Sequence, residues 1–179
     1  DYHALIRFDP KLSAKLEHRR AVVFSGITLQ PRRVERTPTV LGGLWRSFDN
    51  STAVAKANPH VFLDDEFTFE ATEQFAPLPN GLPVWWLANG KGERQDKAPD
   101  NIVGGDRTTH SNDTRLQIIL SCIRCHFAAK DEMGIKPIVD KKIGRITAKD
   151  YDKLRELQRQ YLRALKPSIE SDQRNYETA

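Results

Sequence analysis

The amino-acid sequence predicts an α+β fold, in which a twisted antiparallel sheet over about residues 21–96 precedes a helix with both cysteines and a C-terminal amphipathic helix. Three observations support this class. Short apolar or alternating runs separated by prolines fill residues 21–75, as is typical of strands. At Val84–Ala88 a strand-like run meets Asn89–Gly92, the pattern of a hairpin turn that needs positive φ. Beyond residue 112 the apolar residues recur at the helical period.

The strands and the segment before them follow from local patterns. Leucine and isoleucine recur near the helical period in residues 1–20, so this stretch is predicted to be an N-terminal helical segment, interrupted by Pro10. Strands are expected at Ala21–Ser25, Thr39–Trp45 and Phe67–Ala71. The resulting organisation is the N-terminal segment over 1–20, one main domain over 21–166 and a polar tail over 167–179.

Two helices are predicted in the C-terminal third of the chain. Ser111–Asp113 offers suitable N-caps for a helix that starts near residue 114 and runs to about residue 130. A second helix follows Thr147–Asp150, a capping-box variant, and places leucines and tyrosines on one face before it ends at Pro167. The residues after Pro167 are polar and are expected to be loose.

Composition limits the classes of protein that the chain can form. It has 179 residues, of which 39% are hydrophobic and 29% are charged, values that describe one ordinary domain with a modest core. No run approaches the roughly 18 apolar residues that a transmembrane helix needs. The sequence starts without Met or an apolar leader, so we interpret it as processed or excised from a longer chain. The net charge of +4 comes with no nucleic-acid-binding motif, so no nucleic-acid partner is expected.

The strongest chemical signal is the run Ser121-Cys-Ile-Arg-Cys-His126, which contains the only two cysteines of the chain. Residues spaced i, i+3 and i+4 share one face of a helix, so Cys122, Cys125 and His126 project together. Two thiols at this spacing match the vinyl groups of a haem, and the imidazole that follows can bind its iron. The motif therefore predicts one covalent haem c, with Cys122 and Cys125 as its attachments and His126 as proximal iron ligand.

Two other interpretations of the cysteine pair are weaker. A Cys-x-x-Cys redox pair usually lies at the start of a helix after a strand, whereas this pair is predicted within a helix. A zinc site would use the same cysteines, but the sequence shows no second ligand pair at the usual spacing. Haem c is attached outside the cytoplasmic membrane, so the motif also predicts a periplasmic or otherwise extracytoplasmic location.

The motif does not fix the distal ligand of the iron. Met133 is the only methionine and follows His126 by seven residues, a connection too short to cross readily to the distal side, so it is expected to be a packing residue. His110 or His60 is the candidate distal ligand, and an open or water-bound iron is the alternative. Five aromatic residues are candidates for the haem wall or for ordinary core packing: Trp45, Phe48, Phe75, Trp85 and Trp86.

Several blocks of the sequence, taken in order, resemble a known family. They are Ser25-Gly-Ile-Thr-Leu-Gln-Pro-Arg-Arg-Val-Glu-Arg36, Leu41-Gly-Gly-Leu-Trp-Arg-Ser-Phe-Asp49, Leu78-Pro-Asn-Gly-Leu82, Gly92-Glu-Arg-Gln-Asp-Lys-Ala-Pro99, Ile102-Val103 and the cysteine run. Over residues 22–130 they are similar to a group of bacterial haem-binding proteins, frequent in planctomycetes, with blocks such as SGVS, YWxSYD, LPNGL and SCMxCH. The resemblance implies a single-haem, extracytoplasmic c-type cytochrome that is often part of a longer chain.

The sequence departs from that family at Thr37, where relatives have a histidine after Glu-Arg. If that histidine serves the iron in relatives, it cannot do so here. A fainter likeness is to cytochrome P-460, which also has a β-rich domain with its haem motif late in the chain. No lysine in this sequence can be matched to the porphyrin crosslink of that class.

These observations predict a periplasmic electron carrier with one haem, which acts alone or as a subunit or domain of a larger redox complex. Residues 1–40 hold eight basic and four acidic side chains, so this region is a candidate surface for steering an acidic redox partner. Two alternatives stay open. One is a five-coordinate haem enzyme or small-ligand binder similar to cytochrome P-460, and the other is a structural subunit whose haem stabilises a small core.

Overall fold

A computed structural model describes residues 19–24, 30, 32–57, 66–103, 115–122, 136–137, 152 and 166–177. Its centre is an antiparallel sheet of five long strands with a two-residue strand at each edge, which agrees with the predicted α+β class. The strands are β1 (Arg19–Phe24), β2 (Arg32–Thr39), β3 (Gly42–Asp49), β4 (Ala71–Pro77), β5 (Pro83–Asn89), β6 (Arg94–Gln95) and β7 (Lys136–Pro137). In space they follow the order β6-β5-β4-β3-β2-β1-β7, so strands that are consecutive in sequence are neighbours from β1 to β6. The helices are α1 (Thr52–Ala57) and α2 (Lys166–Glu177), and residues 120–122 form a helical turn.

The turn between β2 and β3 corrects one predicted strand. Thr39 pairs directly with Gly42, so Val40 and Leu41 form a two-residue turn inside Thr39–Trp45, which the sequence pattern assigns to a strand. Gly42 takes a φ of 136°, which a residue with a side chain rarely adopts. The pattern hides the turn because both turn residues are apolar.

The hairpin predicted over residues 83–95 is confirmed as β5, a turn and β6. The Asn89 side chain organises the turn, since its Oδ1 accepts hydrogen bonds from the amides of Lys91 at 3.0 Å and Glu93 at 2.9 Å. Its Nδ2 also donates to a Glu93 carboxylate oxygen at 2.7 Å. Gly92 has a positive φ of 81°, as the turn pattern predicts.

The strand predicted at Phe67–Ala71 begins only at its last residue, where β4 starts. Phe67 and Phe69 instead both pack edge-on against Phe48, with ring centroids 5.0 Å apart in each pair. Alternation alone cannot separate this cluster from a strand, because residues two positions apart lie on one side in a strand as well.

The two faces of the sheet carry different residues, because side chains alternate along each strand and the register aligns them across strands. One face, called the motif face below, carries Arg32, Val34, Arg36, Trp45, Ser47, Asp49, Ala71, Glu73, Phe75, Trp85 and Leu87. The opposite face carries Arg33, Glu35, Thr37, Leu44, Arg46, Phe48, Thr72, Gln74, Ala76 and Trp86.

An apolar cluster covers one end of the motif face. Its members are at most 9% exposed and come from β4, β5 and the chain after β6: Ala71, Leu87, Ala98, Ile102, Val103 and Leu116. Burial of this apolar area holds the chain after β6 against the sheet. The segment that leads to Cys122 is therefore anchored on the motif face.

The helix α2 covers the other end of the motif face through a buried ion pair. Asp172 accepts two hydrogen bonds from the Arg36 guanidinium, at 2.8 and 2.9 Å, and one from the Trp45 indole at 2.8 Å. Gly43 leaves room for this contact, since a Cβ there would lie 2.5 Å from Arg36 Nε and 2.6 Å from Asp172 Oδ2. Ile169, on the same helix, is fully buried.

The interpretation of the C-terminal residues as a loose tail is wrong. Pro167 lies in the first turn of α2, where amide groups have no partner within the helix and proline is tolerated. Ile169 is buried and Asp172 binds the sheet, so this short stretch of α2 is held by tertiary contacts. Of the helix predicted before Pro167, the structure describes Asp152 alone, which is helical.

Two further element boundaries differ from the sequence prediction. Arg19 and Arg20, assigned to the N-terminal helical segment, belong to β1 and pair with β2, while residues 1–18 lie outside the described residues. The helix α1 is absent from the sequence prediction, although Ser51 caps it by accepting a hydrogen bond from the Val54 amide at 3.5 Å.

Within the described ranges, no helix has the length and apolar character needed to cross a membrane.

Replacing Asp172 with alanine is expected to lower the free energy of unfolding by about 2–4 kcal/mol, because Arg36 and Trp45 would lose a shared, buried partner. Gly43→Ala is expected to displace the same carboxylate, so the double variant should be only slightly less stable than Asp172→Ala. Chemical denaturation of the wild type and the three variants measures this coupling. Additive losses would contradict it, and Glu170→Ala, at an exposed position of α2, is the control.

Candidate functional site

The chain reaches the cysteine motif through a short antiparallel extension of the sheet. Lys97 and Gln117 form an isolated bridge, and the Ala98 amide donates to the Leu116 carbonyl at 2.9 Å. The helix predicted from about residue 114 therefore starts later, at residue 120, because residues 116–118 pair with 96–98 instead. Ile119 lies between the paired residues 116–118 and the helical turn, and its φ of 69° is an unusual conformation for a β-branched residue.

Ser121 fixes the start of the helical turn. Its hydroxyl accepts a hydrogen bond from the Gln117 amide at 3.1 Å, and its own amide donates to the Gln117 carbonyl at 3.1 Å. Ser121 and Cys122 are 1% and 2% exposed, whereas Leu120 is 60% exposed. The turn thus directs the first cysteine of the motif inward, toward the motif face.

Cys122 lies against Glu73 in the middle of the sheet. Its Sγ is 3.8 Å from Glu73 Oε1, within reach of a hydrogen bond from a thiol to a carboxylate. Glu73 is on β4 and is the register partner of Ser47 on β3, so the carboxylate beside the sulfur belongs to a central strand. Within the part of the chain that the structure describes, Cys122 takes part in no disulfide.

Glu73 belongs to a buried ion cluster with Arg32 and Asp49. Arg32 donates to both Asp49 carboxylate oxygens, at 2.8 and 2.6 Å, and to Glu73 Oε2 at 3.3 Å. Burial disfavours the charged guanidinium, but the two carboxylates outweigh this and raise the pKa of Arg32 above its ordinary value. The side chains of Arg32, Asp49 and Glu73 are 10%, 6% and 12% exposed, so the cluster is nearly out of contact with water.

A cavity of about 20 Å³ lies beside this cluster, between the sheet and the residues that follow β6. Arg32, Asp49 and Glu73 form its polar side, and apolar residues such as Leu87 and Ile102 form the rest. A cavity of this size holds one water molecule. It is too small for a haem or for an organic substrate.

Three of the five aromatic candidates form a row on the motif face. Trp45, Phe75 and Trp85 are register partners across β3, β4 and β5. Their ring centroids are 5.9 Å apart for Trp45 and Phe75, and 6.3 Å apart for Phe75 and Trp85. Phe75 is two residues from Glu73 on the same strand and face, so the aromatic row adjoins the position of Cys122.

The other two aromatic candidates, Phe48 and Trp86, lie on the opposite face. Trp86 packs against a small cluster that contains Leu44, and this placement favours core packing over a haem wall for both residues. Thr37 also faces this side, as the register partner of Leu44, and is fully buried. A histidine at position 37 would therefore lie on the face of the sheet opposite to Cys122.

The remaining residues assigned to the haem lie outside the described residues: Cys125, His126, His110 and His60. Their roles as second attachment, proximal ligand and alternative distal ligands stay predictions, and so does the packing role of Met133. Among the residues that the structure does describe, no group of three or more histidine, cysteine, aspartate or glutamate side chains could hold a metal ion.

The ion cluster is the part of the site that the sequence pattern does not single out. Asp49 and Glu73 are 17 and 41 residues from Arg32, and the three meet only because β2, β3 and β4 are neighbours. Arg32 and Asp49 could have been singled out from the sequence, because they fall within two of the blocks that carry the resemblance.

Several of those blocks correspond to turns and core positions. Leu78-Pro-Asn-Gly-Leu82 is the β4–β5 turn, closed by a hydrogen bond of 2.8 Å from the Leu78 amide to the Leu82 carbonyl. Ile102 and Val103 belong to the apolar cluster on the motif face. Comparisons of the chain with family models, with curated proteins and with solved structures gave no match.

The described residues fit one of the two covalent attachments that a haem c requires. At Cys122 the S–H group would add across a haem vinyl group, which forms the S–C bond and transfers the hydrogen to the other vinyl carbon. The aromatic row lies beside that sulfur on the same face, and aromatic rings pack well against a flat macrocycle.

Arg32→Ala is expected to lower the free energy of unfolding by about 3–5 kcal/mol, because it leaves two buried carboxylates without their guanidinium. Arg94→Ala removes an arginine from an exposed pair with Asp96 and should cost about 1 kcal/mol or less. Chemical denaturation of the two variants beside the wild type measures the difference. If both variants lowered the free energy of unfolding by about 1 kcal/mol or less, the cluster would not be what holds the central strands together.

Proposed function

We propose that the protein is an extracytoplasmic cytochrome with one haem c, which transfers single electrons between partner proteins. The observation that carries the proposal is the position of Cys122. The first cysteine of a Cys-x-x-Cys-His run is buried in the helical turn at 120–122, beside an aromatic row on the central sheet. A Cys-x-x-Cys redox pair also lies near the start of a helix, so the histidine after the second cysteine is what favours haem c over that alternative. Cys122 and Cys125 would hold the porphyrin, and His126 would bind its iron.

When bound, the haem would supply a reversible one-electron couple, so that an electron taken from a reduced partner passes to an oxidised one. The residues of the chain would orient and shield this group. Trp45, Phe75 and Trp85 would keep water from the motif face, and Asp172 holds α2 over its far end. Of the eight basic residues in 1–40, Arg32, Arg33 and Arg36 pair with carboxylates inside the fold, so an acidic partner protein would be attracted by the basic residues before residue 21.

Catalysis on a small organic molecule gains no support from the cavity beside Glu73. Sites for organic ligands are typically about 300–1,000 Å³ in volume. The cavity on the motif face has only about 20 Å³, so the residues that line it offer no room for a substrate. A five-coordinate enzyme or ligand binder is the alternative that the spectra below separate. A haem that proved redox-inert within a large assembly would instead support a purely structural haem subunit.

Protein produced in a host that attaches haem c is expected to give a c-type pyridine haemochrome spectrum with one haem per chain. Cys122→Ser and Cys125→Ser should each shift that spectrum toward a single thioether or abolish covalent attachment, because each removes one of the two sulfurs. Leu120→Ser, at an exposed position next to the motif, is the matched control and should keep full attachment. A wild-type chain without covalent haem would overturn the proposal.

The oxidised protein is expected to contain low-spin, six-coordinate iron, and the reduced protein should not bind carbon monoxide. His110→Ala and His60→Ala serve as controls for each other. The variant that removes the distal ligand should give a high-spin spectrum and should bind carbon monoxide. The variant at the other histidine should keep the low-spin spectrum and should not bind carbon monoxide. High-spin iron that binds carbon monoxide in the wild type would instead support the five-coordinate alternative.

A further inference from the structure

The buried ion cluster on the motif face is unbalanced in charge. Among the described residues it contains one guanidinium, Arg32, and two carboxylates, Asp49 and Glu73. Asp49 takes both of its hydrogen bonds from Arg32 at 2.6–2.8 Å, whereas Glu73 has a single contact with Arg32 at 3.3 Å. The excess negative charge therefore lies mainly on Glu73.

The second carboxylate oxygen of Glu73 faces the attachment point. Oε1 is the atom that lies 3.8 Å from Cys122 Sγ, while Oε2 is bound by Arg32. A thioether has no hydrogen to donate, so attachment at Cys122 would leave Oε1 beside the edge of the porphyrin. Because Glu73 is largely buried, its charge would be screened less than a charge at the surface.

We propose that Glu73 is a positioning residue for the redox centre, whose fixed negative charge beside Cys122 favours the oxidised iron and lowers the reduction potential. The inference rests on the proposed function, since it requires a haem at Cys122. Oxidation adds one positive charge at the iron, and a nearby carboxylate stabilises the more positive state. Arg32 holds the carboxylate in place, so the effect is built into the sheet.

The first test compares midpoint potentials of the haem-loaded protein. Glu73→Gln keeps the shape of the side chain and one acceptor oxygen for Arg32 but removes the charge, so the midpoint potential should rise. Glu73→Asp keeps the charge but withdraws it by one methylene, which should give a smaller rise. Glu170→Gln removes an equal charge from an exposed position of α2, where water screens it, and should leave the potential unchanged.

The second test uses the chain before haem attachment, in a Cys125→Ser background so that Cys122 is the only thiol. A neighbouring carboxylate disfavours the thiolate, which is the form that reacts. Adding Glu73→Gln should therefore make alkylation of Cys122 by iodoacetamide several-fold faster, whereas adding Glu170→Gln should not change the rate.

The outcomes separate the two proposals. A wild-type chain that carries no haem overturns the proposed function, and the alkylation rates then still test the contact between Glu73 and Cys122. A loaded wild type with the same potential as both Glu73 variants overturns the inference alone. If Glu73→Gln does not accumulate as folded protein, Glu73→Asp decides by the same criterion, measured against Glu170→Gln.

Discussion

The two-point ion pair between Arg32 and Asp49 is the interaction on which both the sheet and the site depend. It joins the start of β2 to the end of β3, and the third contact of Arg32 brings in Glu73 on β4. Arginine suits this position because its planar guanidinium offers parallel donors to one carboxylate and a further donor to another, which lysine does not. Without it, three central strands would meet over buried carboxylates, and Cys122 would lose a fixed neighbour.

The opposite face has the reverse balance of charge. Arg33 donates to Glu35 at 2.8 Å, and Arg46 lies 3.5 Å from the same carboxylate. Burial lowers the pKa of Arg46, and Glu35 opposes that shift only in part. Arg33 also stacks 4.3 Å above the ring of Phe67, which stabilises a cation where water is scarce. Among the described residues, the motif face thus carries a net negative buried charge and the opposite face a net positive one.

Local signals explain which elements could be predicted from the sequence. The hairpin of β5 and β6 is set by Asn89 and the residues next to it, so its pattern is complete in the sequence. The faces of the sheet depend on register instead, and register depends on the turn at Val40 and Leu41, which the apolar pattern conceals. Because a shift of one residue moves every side chain to the other face, the ion cluster could not be assembled from the sequence.

The contrast between local sequence signals and contacts over long distances in the sequence also applies to Cys122 and to α2. The chemistry of Cys122 could be predicted from its spacing to Cys125 and His126, but its neighbour Glu73 could not, since the two are 49 residues apart. The polar composition after Pro167 predicts a loose tail. The stability of α2 instead comes from Asp172 and Ile169, whose partners lie on a sheet formed much earlier in the sequence.

The contact between Arg36 and Asp172 joins residues 136 positions apart, whereas each long strand of the sheet pairs with the one before it in the sequence. Closing a long loop costs more conformational entropy than forming a hairpin, so distant contacts are expected to form after local ones. The meander should therefore assemble first and α2 should dock last. Until then Trp45 lacks the hydrogen bond from its indole to Asp172, so the end of the aromatic row at Trp45 should be the last part of the motif face to be covered.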